Sequence, residues 1–125
     1  PPPQIWPFCF APDTPVNMND GSQKSMDAIN IGDILENNIK VVSTIQIKGQ
    51  PENPFYKIRS KELNGHEILV TGSHKIYDEE QDKFIPVEDF KCAEKTIFWG
   101  PIMFCLITEN HQIPIGEYTF WDWED

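Results

Sequence analysis

The sequence predicts an all-β fold, and three observations carry that prediction. Short apolar runs recur at close spacing, each broken by a turn signal. Eleven prolines and seven glycines in 125 residues supply the punctuation. No long stretch keeps the 3.6-residue apolar period of an amphipathic helix.

The elements follow in order. Residues 1–8 (PPPQIWPF) carry four prolines and cannot begin a helix or a central strand, so they read as an extended lead-in. Residues 15–18 (PVNM) read as a strand closed by Asp20-Gly21, a good hairpin dipeptide. Residues 25–29 (SMDAI) make one helical turn, ended before Ile31-Gly32-Asp33. Residues 41–47 (VVSTIQI) alternate and are rich in β-branched side chains, which pack well on a pleated surface. Residues 55–58 and 67–71 are the next strands, separated by Asn64-Gly65. Residues 84–87, 96–99, 104–108 and 111–115 complete the set. Trp99, Phe120, Trp121 and Trp123 read as aromatic core packing. Asp122, Glu124 and Asp125 read as a solvated acidic tail. No internal repeat recurs at a fixed period.

Composition bounds the function. Hydrophobic residues make up 39% and aromatics 12%, enough for one modest core. A net charge of −10 argues against nucleic acid as the partner, because phosphate binding needs a positive surface. No apolar run reaches the roughly 18–20 residues that cross a bilayer, so no membrane role is expected. The opening decapeptide lacks the basic and apolar regions of a signal peptide, and any targeting signal is expected on a longer precursor. Cys9, Cys92 and Cys105 are odd in number and without CxxC spacing, which disfavours a disulfide framework or structural zinc. Cys92 reads as structural and His66 as a surface-loop residue. His66, His74 and His111 have no metal-ligand spacing, so neither metal nor cofactor is expected. The expected state is a monomer.

Taken alone, Cys9 in CFAPDTPV reads as a small buried apolar side chain. Two further segments change that reading. An apolar strand, 68–70, runs into Thr71 and His74, separated by two residues. Another, 104–107, ends in a polar turn with His111. In this order the segments resemble the Hint family, which comprises inteins, hedgehog C-terminal domains and bacterial intein-like domains. Cys9 with Asp13-Thr14-Pro15-Val16 resembles the family's opening block, and residues 31–35 (IGDIL) its usual continuation. Thr71-x-x-His74 is similar to its TxxH block, and residues 104–113 to its late block. The resemblance spans nearly the whole chain from Cys9.

What the resemblance implies is a horseshoe-shaped all-β domain over 9–125, preceded by a flanking segment over 1–8. Its chemistry is autocatalytic cleavage or splicing at Phe8–Cys9, and its partners are the flanking segments of its own precursor. The Cys9 thiol attacks the Phe8 carbonyl and the amide becomes a thioester; a thiol suits this because thiolate forms near neutral pH. His74 protonates the departing nitrogen of Cys9, since imidazole titrates near the working pH. Thr71 positions that nitrogen or stabilises the oxyanion. His111 sits where the family's late histidine assists Asn cyclisation, but residues 120–125 (FWDWED) contain no His-Asn pair. Cys105 stands where the late block often has Asp, and three roles stay open for it: proton relay, acyl acceptor or buried structural thiol. Sterol transfer is disfavoured, because no Asp lies between Asp33 and Asp78. The reading from another class is a degenerate Hint fold kept as a binding or structural module.

Overall fold

The structure is a computed structural model and describes residues 6–124. Among the described residues, twelve strands are joined by turns and short loops: β1 (Pro15–Asn17), β2 (Gln23–Ser25), β3 (Ile34–Leu35), β4 (Ile39–Lys48), β5 (Phe55–Arg59), β6 (Glu67–Thr71), β7 (Lys75–Asp78), β8 (Lys83–Pro86), β9 (Ala93–Lys95), β10 (Ile102–Thr108), β11 (Gln112–Ile115) and β12 (Tyr118–Trp121). Three single 3-10 turns, Met26–Ala28, Glu36–Asn38 and Val87–Asp89, are its helical segments among the described residues. Every strand pairing is antiparallel.

One short segment joins two of the sheets. β4 pairs with β10, and β6 pairs with β5, which in turn pairs with β9. Between β10 and β6 lies Phe10, bridged to Phe104 on one side and to Val70 on the other. Residues 9–11 therefore run down the middle of a continuous layer, flanked by backbone on both sides. Central position explains the composition here: Cys9 and Phe10 are fully buried, as are Val70 and Leu106 beside them. On β4 the pattern alternates at its start, with Ile39 and Val41 inward and Val42 half exposed, as a strand with one face in water requires.

A duplication without sequence repetition underlies the arrangement. In the first unit, Met26 N–H donates to Thr14 O and Asp27 N–H to Pro12 O, at 2.8 and 3.0 Å. In the second, Val87 N–H donates to His74 O and Glu88 N–H to Gly72 O, at 2.7 and 2.9 Å. Each unit is a hairpin (β1–β2, β7–β8) followed by one 3-10 turn that folds back onto the residues preceding the hairpin. Phe10 and Val70, which enter the two units, pair with each other. His74 thus occupies the place in the second unit that Thr14 holds in the first.

Several sequence expectations need correction. Residues 96–99 are not a strand; β9 ends at Lys95, and Ile97, Phe98 and Trp99 are exposed in a loop. Its backbone still bonds to Phe55 through Thr96 N–H and Phe98 O, but the side chains turn to solvent, and Trp99 takes no part in the core. Gly49 explains part of the loop's path: a Cβ there would lie 1.7 Å from the Gly100 carbonyl, so only glycine permits that crossing. Cys92 is exposed rather than structural. Asp122 is fully buried, not part of a solvated tail. β2, β3, β7, β9 and β12 are strands beyond those the sequence predicts; β2 and β9 carry few apolar residues, and the aromatics of β12 read as core packing without a strand assignment.

Candidate active site

The turn after β6 builds half of the site. Thr71 closes it by accepting the His74 N–H at 3.2 Å. The bonds from Val87 and Glu88 to His74 O and Gly72 O clamp the turn from behind. Gly72 leaves room for its neighbours: a Cβ there would meet Tyr56 Cε1 at 2.6 Å and Glu88 Oε2 at 3.0 Å, so those side chains would have to shift. Residues 9–11 supply the other half. The Thr71 N–H donates to Cys9 O at 3.0 Å, and Ala11 N–H to Leu69 O at 3.1 Å.

That pairing leaves one donor at the end of the ladder, the Cys9 N–H. It donates to the Thr71 hydroxyl oxygen at 2.9 Å. The Thr71 side chain thus addresses the nitrogen of the Phe8–Cys9 bond. Thr71 is fully buried, so the contact is shielded from competing water.

His74 is fully buried in an aromatic cage. Phe10 lies against it at a ring distance of 4.5 Å, Phe8 edge-on at 5.6 Å, and Phe120 edge-on at 5.9 Å. Its Nε2 is 2.7 Å from the Trp121 carbonyl, an acceptor only, so Nε2 carries the hydrogen. Burial lowers its pKa from 6.5 to about 4, against smaller opposing effects from the Trp121 and Phe8 backbones. The resting ring is therefore neutral, with a lone pair at Nδ1. That atom makes no hydrogen bond of normal geometry among the described residues, yet the Phe8 backbone lies near enough to act on the ring's charge. A buried nitrogen without a partner is uncommon and marks a place where a proton can be received.

Cys105 meets Cys9 from the opposite strand. Phe10 and Phe104 exchange both backbone hydrogen bonds, at 2.8 and 2.9 Å, which sets Cys105 directly across from Cys9. Burial pushes the Cys105 thiol well above its ordinary value, and the adjacent Cys9 thiol, within hydrogen-bonding reach, adds to the effect. Cys105 therefore keeps its proton at neutral pH, which disfavours it as a free nucleophile.

His111 joins the group through Trp121. Its ring stacks on the Trp121 ring at 5.3 Å, while the Trp121 carbonyl holds His74. His111 has φ of 63°, and its Nδ1 lies 3.1 Å from Asp122 Oδ2. The Asp122 carboxyl also accepts the Thr108 and Glu124 N–H groups, each at 2.9 Å. Asp122 and the Trp121 carbonyl are site groups that the sequence did not single out; neither has a motif, and both act through residues distant in the chain. No cluster of three or more potential metal ligands exists among the described residues.

The fold is all-β and antiparallel, and it matches that of a solved intein. The chain is similar to the crystal structure of a DnaB intein from Synechocystis sp. PCC 6803, with a TM-score of 0.63 over 92% of this chain and 98% of that one. Sequence identity between them is 12%, so the likeness is one of fold. No protein-family model and no curated protein matches the sequence.

Proposed function

We propose that residues 9–125 form an autoprocessing domain that cuts its own polypeptide at Phe8–Cys9 through a thioester, with residues 1–8 as the segment released. The observation that supports this best is the placement of two groups at one peptide bond. The Cys9 N–H rests on the Thr71 hydroxyl, and the unpartnered Nδ1 of a neutral, buried His74 lies by Phe8.

On this reading His74 first acts as a base. It takes the thiol proton of Cys9 at Nδ1, and the sulfur bonds to the Phe8 carbonyl carbon. The C–N bond then breaks, and the proton on Nδ1 passes to the nitrogen of Cys9. Atoms balance as an isomerisation of amide to thioester. Burial favours loss of charge from the imidazolium, so it makes the protonated ring a strong acid for that second transfer. Thr71 holds the nitrogen in place while it changes from amide to amine; a positioned hydrogen bond of this kind contributes up to about 10²–10³ in rate. An added thiol or water then resolves the thioester, and we assign His111, fixed by Asp122, to that step.

The test is a fusion protein joined ahead of Pro1, followed on a gel with and without added thiol. Cleavage before Cys9, hastened by thiol and abolished by Cys9→Ala, is the expected result. A wild-type precursor that stays intact with thiol would sink the reading and leave the fold as a binding or structural module.

A further inference from the structure

The chain ahead of Cys9 is gripped at three successive residues, and at Pro7 the grip comes from the loop between β4 and β5, which the proposed reaction does not otherwise use. Asn53 lies in the loop between β4 and β5, where Pro51 and Glu52 are exposed. Asn53 itself is only 7% exposed. Its side-chain amide donates from Nδ2 to the Pro7 carbonyl at 2.9 Å, and its own N–H closes the loop onto Gln50 O at 3.0 Å. A buried Asn needs a partner, and here that partner is backbone from outside the strand layer. Proline has no N–H, so at position 7 the carbonyl is the only backbone handle available. One residue earlier, the Trp6 carbonyl accepts from Ser73 Oγ at 3.4 Å. A cavity of about 150 Å³ adjoins this contact, lined by Trp6, Asn53, Tyr56, Gly72 and Lys95 among others. One residue later, the Phe8 ring sits between His74 and Trp123, at 5.6 and 5.4 Å.

We infer that Asn53 and Ser73 form a binding site for the extended peptide preceding Cys9, with Asn53 as a positioning residue for the Phe8–Cys9 bond. This rests on the autoprocessing reading for its catalytic consequence, though not for the binding itself. Asn53 fixes the carbonyl of Pro7 and Thr71 fixes the N–H of Cys9, so Phe8 is pinned from both ends. Holding a carbonyl within reach of its nucleophile is worth large factors in rate when the geometry is kept. The site holds the peptide by its backbone carbonyls at positions 6 and 7, which any sequence supplies, and takes its selectivity from an aromatic side chain at position 8.

Two measurements decide it. In the fusion precursor, Asn53→Asp keeps the size of the side chain but removes the donor. It is expected to lower the melting transition, because a charge replaces a buried amide, and to slow thiol-induced cleavage about tenfold at temperatures where the variant is fully folded, the worth of one such hydrogen bond. In the full-length Cys9→Ala protein, which cannot react, NMR is expected to detect scalar coupling across the hydrogen bond from the Asn53 carboxamide to the Pro7 carbonyl carbon. Cleavage of Asn53→Asp at the wild-type rate would overturn the positioning role. Absence of the coupling, with both Asn53 carboxamide protons resolved, would overturn the binding site. If the wild-type precursor never cleaves, the autoprocessing reading fails while the coupling still decides whether the peptide is bound.

Discussion

At His74 two effects oppose each other on one ring. Complete burial disfavours the imidazolium, while two backbone carbonyls nearby favour it, and burial prevails. The chemical consequence is an order of events: the ring must receive a proton before it can give one. A thermodynamic consequence follows for stability. The folded value, about 4, lies below the unfolded 6.5, so between those pH values the unfolded chain binds a proton that the folded chain refuses. Stability from this residue is complete above pH 6.5 and is lost as pH falls toward 4. The loss amounts to roughly 3 kcal/mol over that interval. Urea midpoints measured across it should fall for the wild type and flatten for His74→Gln. A profile that is the same in both proteins would show that His74 is not held neutral.

The register between residues 9–11 and β10 makes a statement about the two buried thiols. Because Phe10 and Phe104 exchange both hydrogen bonds, the next pair, Cys9 and Cys105, is a non-hydrogen-bonded one, with Cα atoms typically about 4.5 Å apart. That separation falls in the range a disulfide spans, and both thiols are free. Cys105 also lines a cavity of about 130 Å³, together with Met26, Thr44 and Phe104, large enough for a small oxidant. Dilute hydrogen peroxide is expected to oxidise one thiol to a sulfenic acid, which the other displaces with loss of water. Intact mass spectrometry in a Cys92→Ser background should record the loss of two hydrogens, reversed by dithiothreitol and absent in Cys105→Ser. Retention of both free thiols under these conditions would mean the pair is not opposed as the register requires.

Across the whole molecule, the two hairpin units converge on the pairing of Phe10 with Val70, and the candidate site residues gather where the units meet. Cys9 enters the first unit, Thr71 and His74 enter the second, and β10 and β12 bring Cys105 and the Trp121 carbonyl. The apolar surface is distributed accordingly. Phe120 is fully buried against Phe10 and His74, whereas Phe98 and Trp99 stand in solvent. Phe120→Ala should therefore cost about 3–5 kcal/mol by denaturant unfolding. Phe98→Ser with Trp99→Ser should stay within about 0.5 kcal/mol of wild type. A large loss from the loop pair would show that those side chains pack on something.

Cys9, Thr71 and His74 stand out in the sequence because each sits in a short motif, and the structure brings them together; local patterns of proline, glycine and β-branched residues place most strands. Strands such as β9, AEK, were not legible, since an edge strand held by backbone pairing to β5 needs no apolar face of its own. Asn53 gave no signal either: one Asn between prolines looks like any turn residue until Pro7, 46 positions away, is brought to it. The same holds for the charge on His74, for the opposition of Cys9 and Cys105, and for the burial of Asp122. The sequence by itself determined which side chains and which backbone groups stand at Phe8–Cys9. Only the tertiary structure decided their protonation, their partners and the hold on the upstream chain, because burial and hydrogen bonding depend on neighbours that are distant along the chain.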